Sequence, residues 1–121
     1  MRILIAGTDA KFIEKLKLSL ANEGHNVIEC TSINDVLNHE HEKVDAYIVD
    51  INSDNDNAQQ LVELVRQLPS GQNLPIMVSS DHNHFDQVIV ALNAGADDYI
   101  LRPYPARELI TRINTVKNRR R

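Results

Sequence analysis

Short apolar runs alternate with longer stretches of helical period along the whole chain, and no other feature constrains the fold as strongly. Ile3 to Ala6, Val27 to Cys30, Val44 to Val49, Ile76 to Val78 and Tyr99 to Leu101 are predicted strands. The first predicted helix carries Phe12, Ile13, Leu16, Leu18 and Leu20, with Asp9 as N-cap and Gly24 as its stop. The second carries Ile33, Val36 and Leu37 after Thr31-Ser32, and the third Leu61, Val62, Leu64, Val65 and Leu68 before Pro69-Ser70-Gly71. The fourth carries Phe85, Val88, Ile89 and Leu92 before Gly95, and the fifth starts at Pro105 with Leu109, Ile110, Ile113 and Val116 on one stripe. Five strand-then-helix units in order call for a parallel sheet, because parallel neighbours need a crossover and crossovers are right-handed.

The predicted fold class is therefore α/β: a flavodoxin-like (βα)5 doubly wound parallel sheet of strand order 2-1-3-4-5. At 121 residues with 42% hydrophobic content, residues 1–121 make one domain. No apolar run approaches the roughly 20 residues that cross a bilayer. A single cysteine, Cys30, excludes a disulfide framework, and with no export signal a cytoplasmic location and no membrane partner are expected. Charge is unevenly spread. Residues 1–106 hold seven Lys/Arg against sixteen Asp/Glu, whereas residues 107–121 hold six against one. The basic end complements a helix C-terminus, and residues 117–121 are expected to open a linker.

In such sheets ligands sit beyond the carboxyl ends of the strands, near the switch point between strands 1 and 3. The positions to inspect are Gly7, Thr8 and Asp9, the stretch Asp50 to Asp56, Ser79 to Asp81, and Arg102-Pro103. Asp50 is either a site carboxylate or a strand-terminating residue that bonds the next turn. With a hydroxyl from Ser79 or Ser80 and a cation from Arg102, it could form an anion or phosphoryl site. His39-Glu40-His41-Glu42 and Asp81-His82-Asn83-His84 set paired histidines at i, i+2, on different helix faces and with no cysteine pair, so both are expected to be solvated polar segments. There is no Gly-rich phosphate loop and no nucleophile–His–acid spacing, and no enzyme is expected.

Val44-Asp45-Ala46-Tyr47-Ile48-Val49-Asp50, Pro75-Ile76-Met77-Val78-Ser79-Ser80 and Gly95-Ala96-Asp97-Asp98-Tyr99-Ile100-Leu101-Arg102-Pro103-Tyr104 together resemble a two-component response-regulator receiver domain. The last segment, continued to Ile113, is most similar to the OmpR/PhoB group of transcription regulators. The resemblance implies that Asp50 takes the place of the phosphoacceptor served by a histidine kinase. It further implies that Ser80 contacts the phosphoryl group, that Tyr99 is the switch aromatic, and that Arg102 replaces the family's lysine before a proline, usually joined by a cis bond.

The departures carry as much meaning. The family's acidic pair after strand 1, which helps to hold Mg²⁺, is Gly7-Thr8 here, with Asp9 one position later. Asp9 and the Asn52 carbonyl are weak metal candidates, so Mg²⁺ binding is expected to be weak or absent. Arg102 is expected to clamp Asp50 bidentately and to stand in for the missing cation. The Ser53-Asp54-Asn55-Asp56-Asn57 loop replaces the family's Met-Pro and is read as a turn. By resemblance, a homodimer forms through helix 4, strand 5 and helix 5, with Ile89, Leu92 and Thr111 as the apolar patch and Asp97, Asp98, Glu108 and Arg112 as charges. Val88 stands in place of a basic residue and is expected to enlarge that patch. The expected function is an atypical receiver that works without Mg²⁺-dependent phosphorylation and forms the N-terminal half of a regulator whose separate output domain binds DNA. The alternatives are a working phosphoacceptor and a stand-alone adaptor.

Overall fold

In the computed structural model, residues 1–40, 42–52 and 57–120 are described. Five parallel strands, β1 (Arg2–Ala6), β2 (Asn26–Cys30), β3 (Ala46–Asp50), β4 (Ile76–Ser80) and β5 (Asp98–Leu101), form one sheet of order β2-β1-β3-β4-β5. The predicted order is thus observed. Helices α1 (Ala10–Asn22), α2 (Ile33–Asn38), α3 (Ala58–Gln67), α4 (Phe85–Asn93) and α5 (Ala106–Arg119) follow the strands in turn.

Side-chain alternation in the strands divides the core into two layers. Leu4, Tyr47, Val49, Ile76 and Val78 face Val36, Leu61, Val62, Val65, Val88 and Ala91 of α2, α3 and α4. Ile3, Ile5, Ile48, Met77 and Ile100 face Ile13, Leu16 and Leu20 of α1 and Leu109, Ile113 and Val116 of α5. Leu20, Leu109 and Ile113 have no exposed surface, and each such side chain contributes about 1.5–3 kcal/mol.

Local chemistry sets the helix ends. Asp9 caps α1 by accepting from the Phe12 amide, and Gly24, at φ +87°, turns the chain out of it. Gly95, at φ +127°, does the same after α4. Gly71 is required for space, because a Cβ there would lie 2.2 Å from the Val65 carbonyl oxygen.

Several expectations need correction. β3 starts two residues later than Val44 and ends at Asp50, and β4 extends past Val78 through Ser79 and Ser80, so these residues are the last rungs of the sheet. Pro105 is the N-cap of α5, not its first helical residue. Val88 is fully buried and so cannot enlarge a surface patch; Phe85, Ile89 and Val90 are the exposed apolar residues of α4. Residues 117–119, expected to open a linker, form the last turn of α5. His41, the 53–56 loop and Arg121 lie outside the described residues. Among the described residues, no helix is long and apolar enough to cross a membrane.

Candidate functional site

The carboxyl ends of β1, β3, β4 and β5 converge on Asp50, whose side chain is fully buried. Strand alternation turns it to the α1/α5 side, the side of Ile48. Gly7 is packed against it. A Cβ at position 7 would come 2.9 Å from the Asp50 Cβ and 3.2 Å from the Ile13 Cδ1, so the residue that replaces one of the expected acids also permits this close approach. Thr8 donates to Asn52 Oδ1 at 2.8 Å.

Arg102 lies across the crevice. Its Nη1 is 3.1 Å from Asp9 Oδ2 and 3.6 Å from Asp50 Oδ2, its Nη2 donates to the Ile51 carbonyl at 3.0 Å, and Asp81 Oδ2 lies 4.0 Å away. The guanidinium stacks on the Phe12 ring at 4.8 Å, a cation–π contact. The expected bidentate clamp on Asp50 is therefore not the geometry. Asp9 competes for the guanidinium from the α1 side, and Ile51 holds its second nitrogen, so the charge is shared among three acids. The Arg102–Pro103 peptide is cis, as expected.

The two serines of β4 part company. Ser79 pairs with Asp50 across the ladder, and its hydroxyl accepts from the Tyr104 hydroxyl at 3.0 Å. Burial pushes the Tyr104 phenol well above its ordinary value, despite this hydrogen bond. Ser80 is buried, lies on the opposite side by alternation, and donates to the Asp81 carbonyl at 2.9 Å. Asp81 caps the following 3-10 turn, His82–His84. A hydrogen bond from His84 is the main reason that the Asp81 carboxyl sits below its ordinary value. Tyr99 is half-buried and meets Phe85 edge-on, with ring centroids 5.5 Å apart. On the other side of Asp50 opens a cavity of about 170 Å³, lined in part by Gly7, Thr8, Thr31, Ser32 and Asn57.

A family model for the response regulator receiver domain matches residues 3–114. The chain belongs to the response regulator receiver family. It is 33% identical over 112 residues to the response regulator GtcR of Aneurinibacillus migulanus, covering 92% of this chain and 45% of that one. It is 31% identical to the response regulator MprA of Mycobacterium leprae, covering 98% and 52%, and 28% identical to the transcriptional regulatory protein PrrA of Mycobacterium tuberculosis, covering 98% and 51%. The receiver thus spans about half the length of these curated relatives. Among solved structures, a response regulator from Chloroflexus aurantiacus superposes with a TM-score of 0.83 at 28% identity, covering 97% of each chain. The receiver domain of the sensor histidine kinase PA1611 of Pseudomonas aeruginosa, with magnesium coordinated in its cleft, reaches the same TM-score at 19% identity and shares the fold.

The residues expected at the receiver's dimer face are spread over three settings. Ile89 is exposed, Leu92 is half-buried against the core, and Thr111 donates to the Arg107 carbonyl. Arg112 reaches Asp98 at 3.5 Å and Glu108 at 3.4 Å within the chain. Asp97 is internal. Its Oδ2 accepts from Arg66 Nη2 at 2.7 Å and the Ile76 amide at 2.9 Å, and its Oδ1 from Arg120 Nε at 2.9 Å. Phe12 and Tyr104 are site neighbours that the sequence does not single out. Alternation in β4 could have identified Ser79 as the serine on the Asp50 side.

Proposed function

We propose that this receiver is a regulatory domain that works without Mg²⁺-dependent phosphorylation of Asp50. The observation that carries the reading is Arg102, whose guanidinium stands 3.6 Å from Asp50 while also bound to Asp9 and Ile51. Mg²⁺ favours near-octahedral oxygen coordination and gives up water reluctantly. The donors here do not suit it: Gly7 offers no side-chain ligand, Thr8 is bonded to Asn52, Asp9 is shared between the Phe12 amide and Arg102, and a cation already lies beside Asp50. Fixed guanidinium charge near Asp50 replaces a metal that comes and goes, so the domain holds one charge state at its crevice.

Resemblance to regulators of twice this length supports a place as the N-terminal half of a cytoplasmic OmpR/PhoB-type regulator, with DNA contacts made by a separate output domain. The exposed Phe85, Ile89 and Val90 of α4 support a homodimer through α4, β5 and α5, ringed by Asp98, Glu108, Thr111 and Arg112. In this reading Asp97 serves the fold rather than the interface. Incubation with a small acyl phosphate and Mg²⁺, followed by intact-mass measurement, tests the central point. The expected spectrum is unmodified protein. Stoichiometric phosphoryl addition that disappears in Asp50→Ala would overturn it in favour of a working phosphoacceptor receiving phosphate from a histidine kinase, with Ser80 and Tyr99 in their family roles.

A further inference from the structure

The fold brings together three metal-ligating groups that the sequence holds apart. Cys30 ends β2, while Asp35 and His39 lie one helical turn apart on and just after α2, and the three ligand atoms lie within 4.8 Å of one another. Cys30 is buried, and the other two are half-buried at the sheet edge. Spacing of i, i+4 puts Asp35 and His39 on the same face of α2, and β2 delivers the cysteine beneath that face. The 39–42 segment by itself sets its histidines on different helix faces with no cysteine pair, whereas the fold brings Cys30, 9 residues upstream, beside His39.

We propose that Cys30, Asp35 and His39 form a binding site for a thiophilic divalent cation of the zinc class. One thiolate, one imidazole and one carboxylate suit Zn²⁺, with water as the fourth ligand. Bond lengths of about 2.0–2.3 Å separate ligands by roughly 3.3–3.8 Å in a tetrahedron, so the set must tighten by about 1 Å at its widest, within reach of side-chain rotation in half-buried residues. Three further contacts hold the donors in place. The Asp35 carboxylate accepts from the Thr31 amide at 2.9 Å, while its own amide donates to the Ser32 hydroxyl at 3.1 Å. Glu42 pairs with His39 Nδ1, which leaves Nε2 as the nitrogen for the metal, the arrangement in which a carboxylate orients a ligating histidine. On binding, the Cys30 S–H bond breaks, its proton passes to buffer, and an S–Zn bond forms. Burial first, and then the charges of Asp35 and Glu42, disfavour a bare thiolate, and a dication among them reverses the charge effect. The bound metal would staple β2 to α2 beside Thr31 and Ser32, which line the cavity next to Asp50.

Cobalt addition to the reduced, metal-free full chain tests the site, since thiolate–Co²⁺ coordination gives a near-ultraviolet charge-transfer band that Zn²⁺ then displaces. One equivalent is expected to bind with that band. Cys30→Ala should abolish the band, His39→Gln should weaken binding at least tenfold, and Glu42→Gln should weaken it about 10–100-fold. The double variant His82→Gln/His84→Gln should bind normally. Absence of the band, binding unchanged in the His39→Gln variant, or loss of binding in the His82/His84 variant overturns the proposal, the last identifying an adventitious surface site. His39→Gln decides the matter even if Cys30→Ala fails to fold.

Discussion

Removal of Arg102 is the most informative perturbation, because the residue joins β5 to three acids and one carbonyl. At 3.6 Å from Asp50, direct attraction at an effective dielectric near 20 is about 4–5 kcal/mol. Much of that is offset by desolvation, but stripping one partner from a buried pair typically costs about 3–5 kcal/mol. Asp9 is one-third exposed, so its share is small. Arg102→Ala should therefore lose about 3 kcal/mol, or roughly 12 °C in Tm for a domain of this size. In an Asp50→Asn background the buried charge is gone, and only the Ile51 bond, the Asp9 pair and the Phe12 stack are lost, about 1–1.5 kcal/mol. Urea unfolding of the wild type, both single variants and the double variant measures the coupling, expected to be at least ~1.5 kcal/mol. A coupling below ~0.5 kcal/mol would refute the assignment of Arg102 as the resident counter-charge of Asp50.

Four further outcomes follow from the same geometry. Arg66→Met should cost about 3 kcal/mol in urea unfolding, because it takes one partner from Asp97 and the guanidinium donor from the carbonyls of Gly71, Leu74 and Gly95, whereas Arg120→Ala, more exposed, should cost under ~1 kcal/mol. Gly71→Ala drives a Cβ into the Val65 carbonyl and should lower stability by about 2 kcal/mol or more, read as a fall in Tm. Burial, reinforced by Asp35 and Glu42, raises the Cys30 thiol from 9.0 to about 12. The unfolded chain therefore loses its proton first, and stability falls as pH rises from about 9 to 12 by up to ~1.4 kcal/mol per pH unit; Cys30→Ala should show a shallower alkaline loss. Ile89→Arg should leave the protein monomeric in sedimentation at concentrations where the wild type is dimeric, and monomeric wild type at tens of micromolar would remove the dimer.

The sheet was legible because its information is local. Each apolar run and each capping residue, such as Asp9 before α1 or Gly95 after α4, acts within a few positions of itself. Asp50 and Arg102 were legible as strand-end residues for the same reason. How Arg102 divides its charge was not, because Asp9 is 93 residues away and wins by approach from α1. Val88 was misplaced because Phe85, Val88, Ile89 and Leu92 cover more than one face of α4, and periodicity alone does not say which face meets the sheet. Asp97 carries the same limit: an acid in a family motif reads as surface until Arg66 of α3 and Arg120, the C-cap of α5, arrive beside it.

The central claim is that the crevice holds a fixed guanidinium in place of an exchangeable metal. Titration of the isotopically labelled receiver with millimolar Mg²⁺, following the amide resonances of Gly7, Asp50 and Asn52, tests it most directly. The account predicts no saturable shift at these amides. A saturable, localised shift that Asp50→Asn abolishes would contradict it.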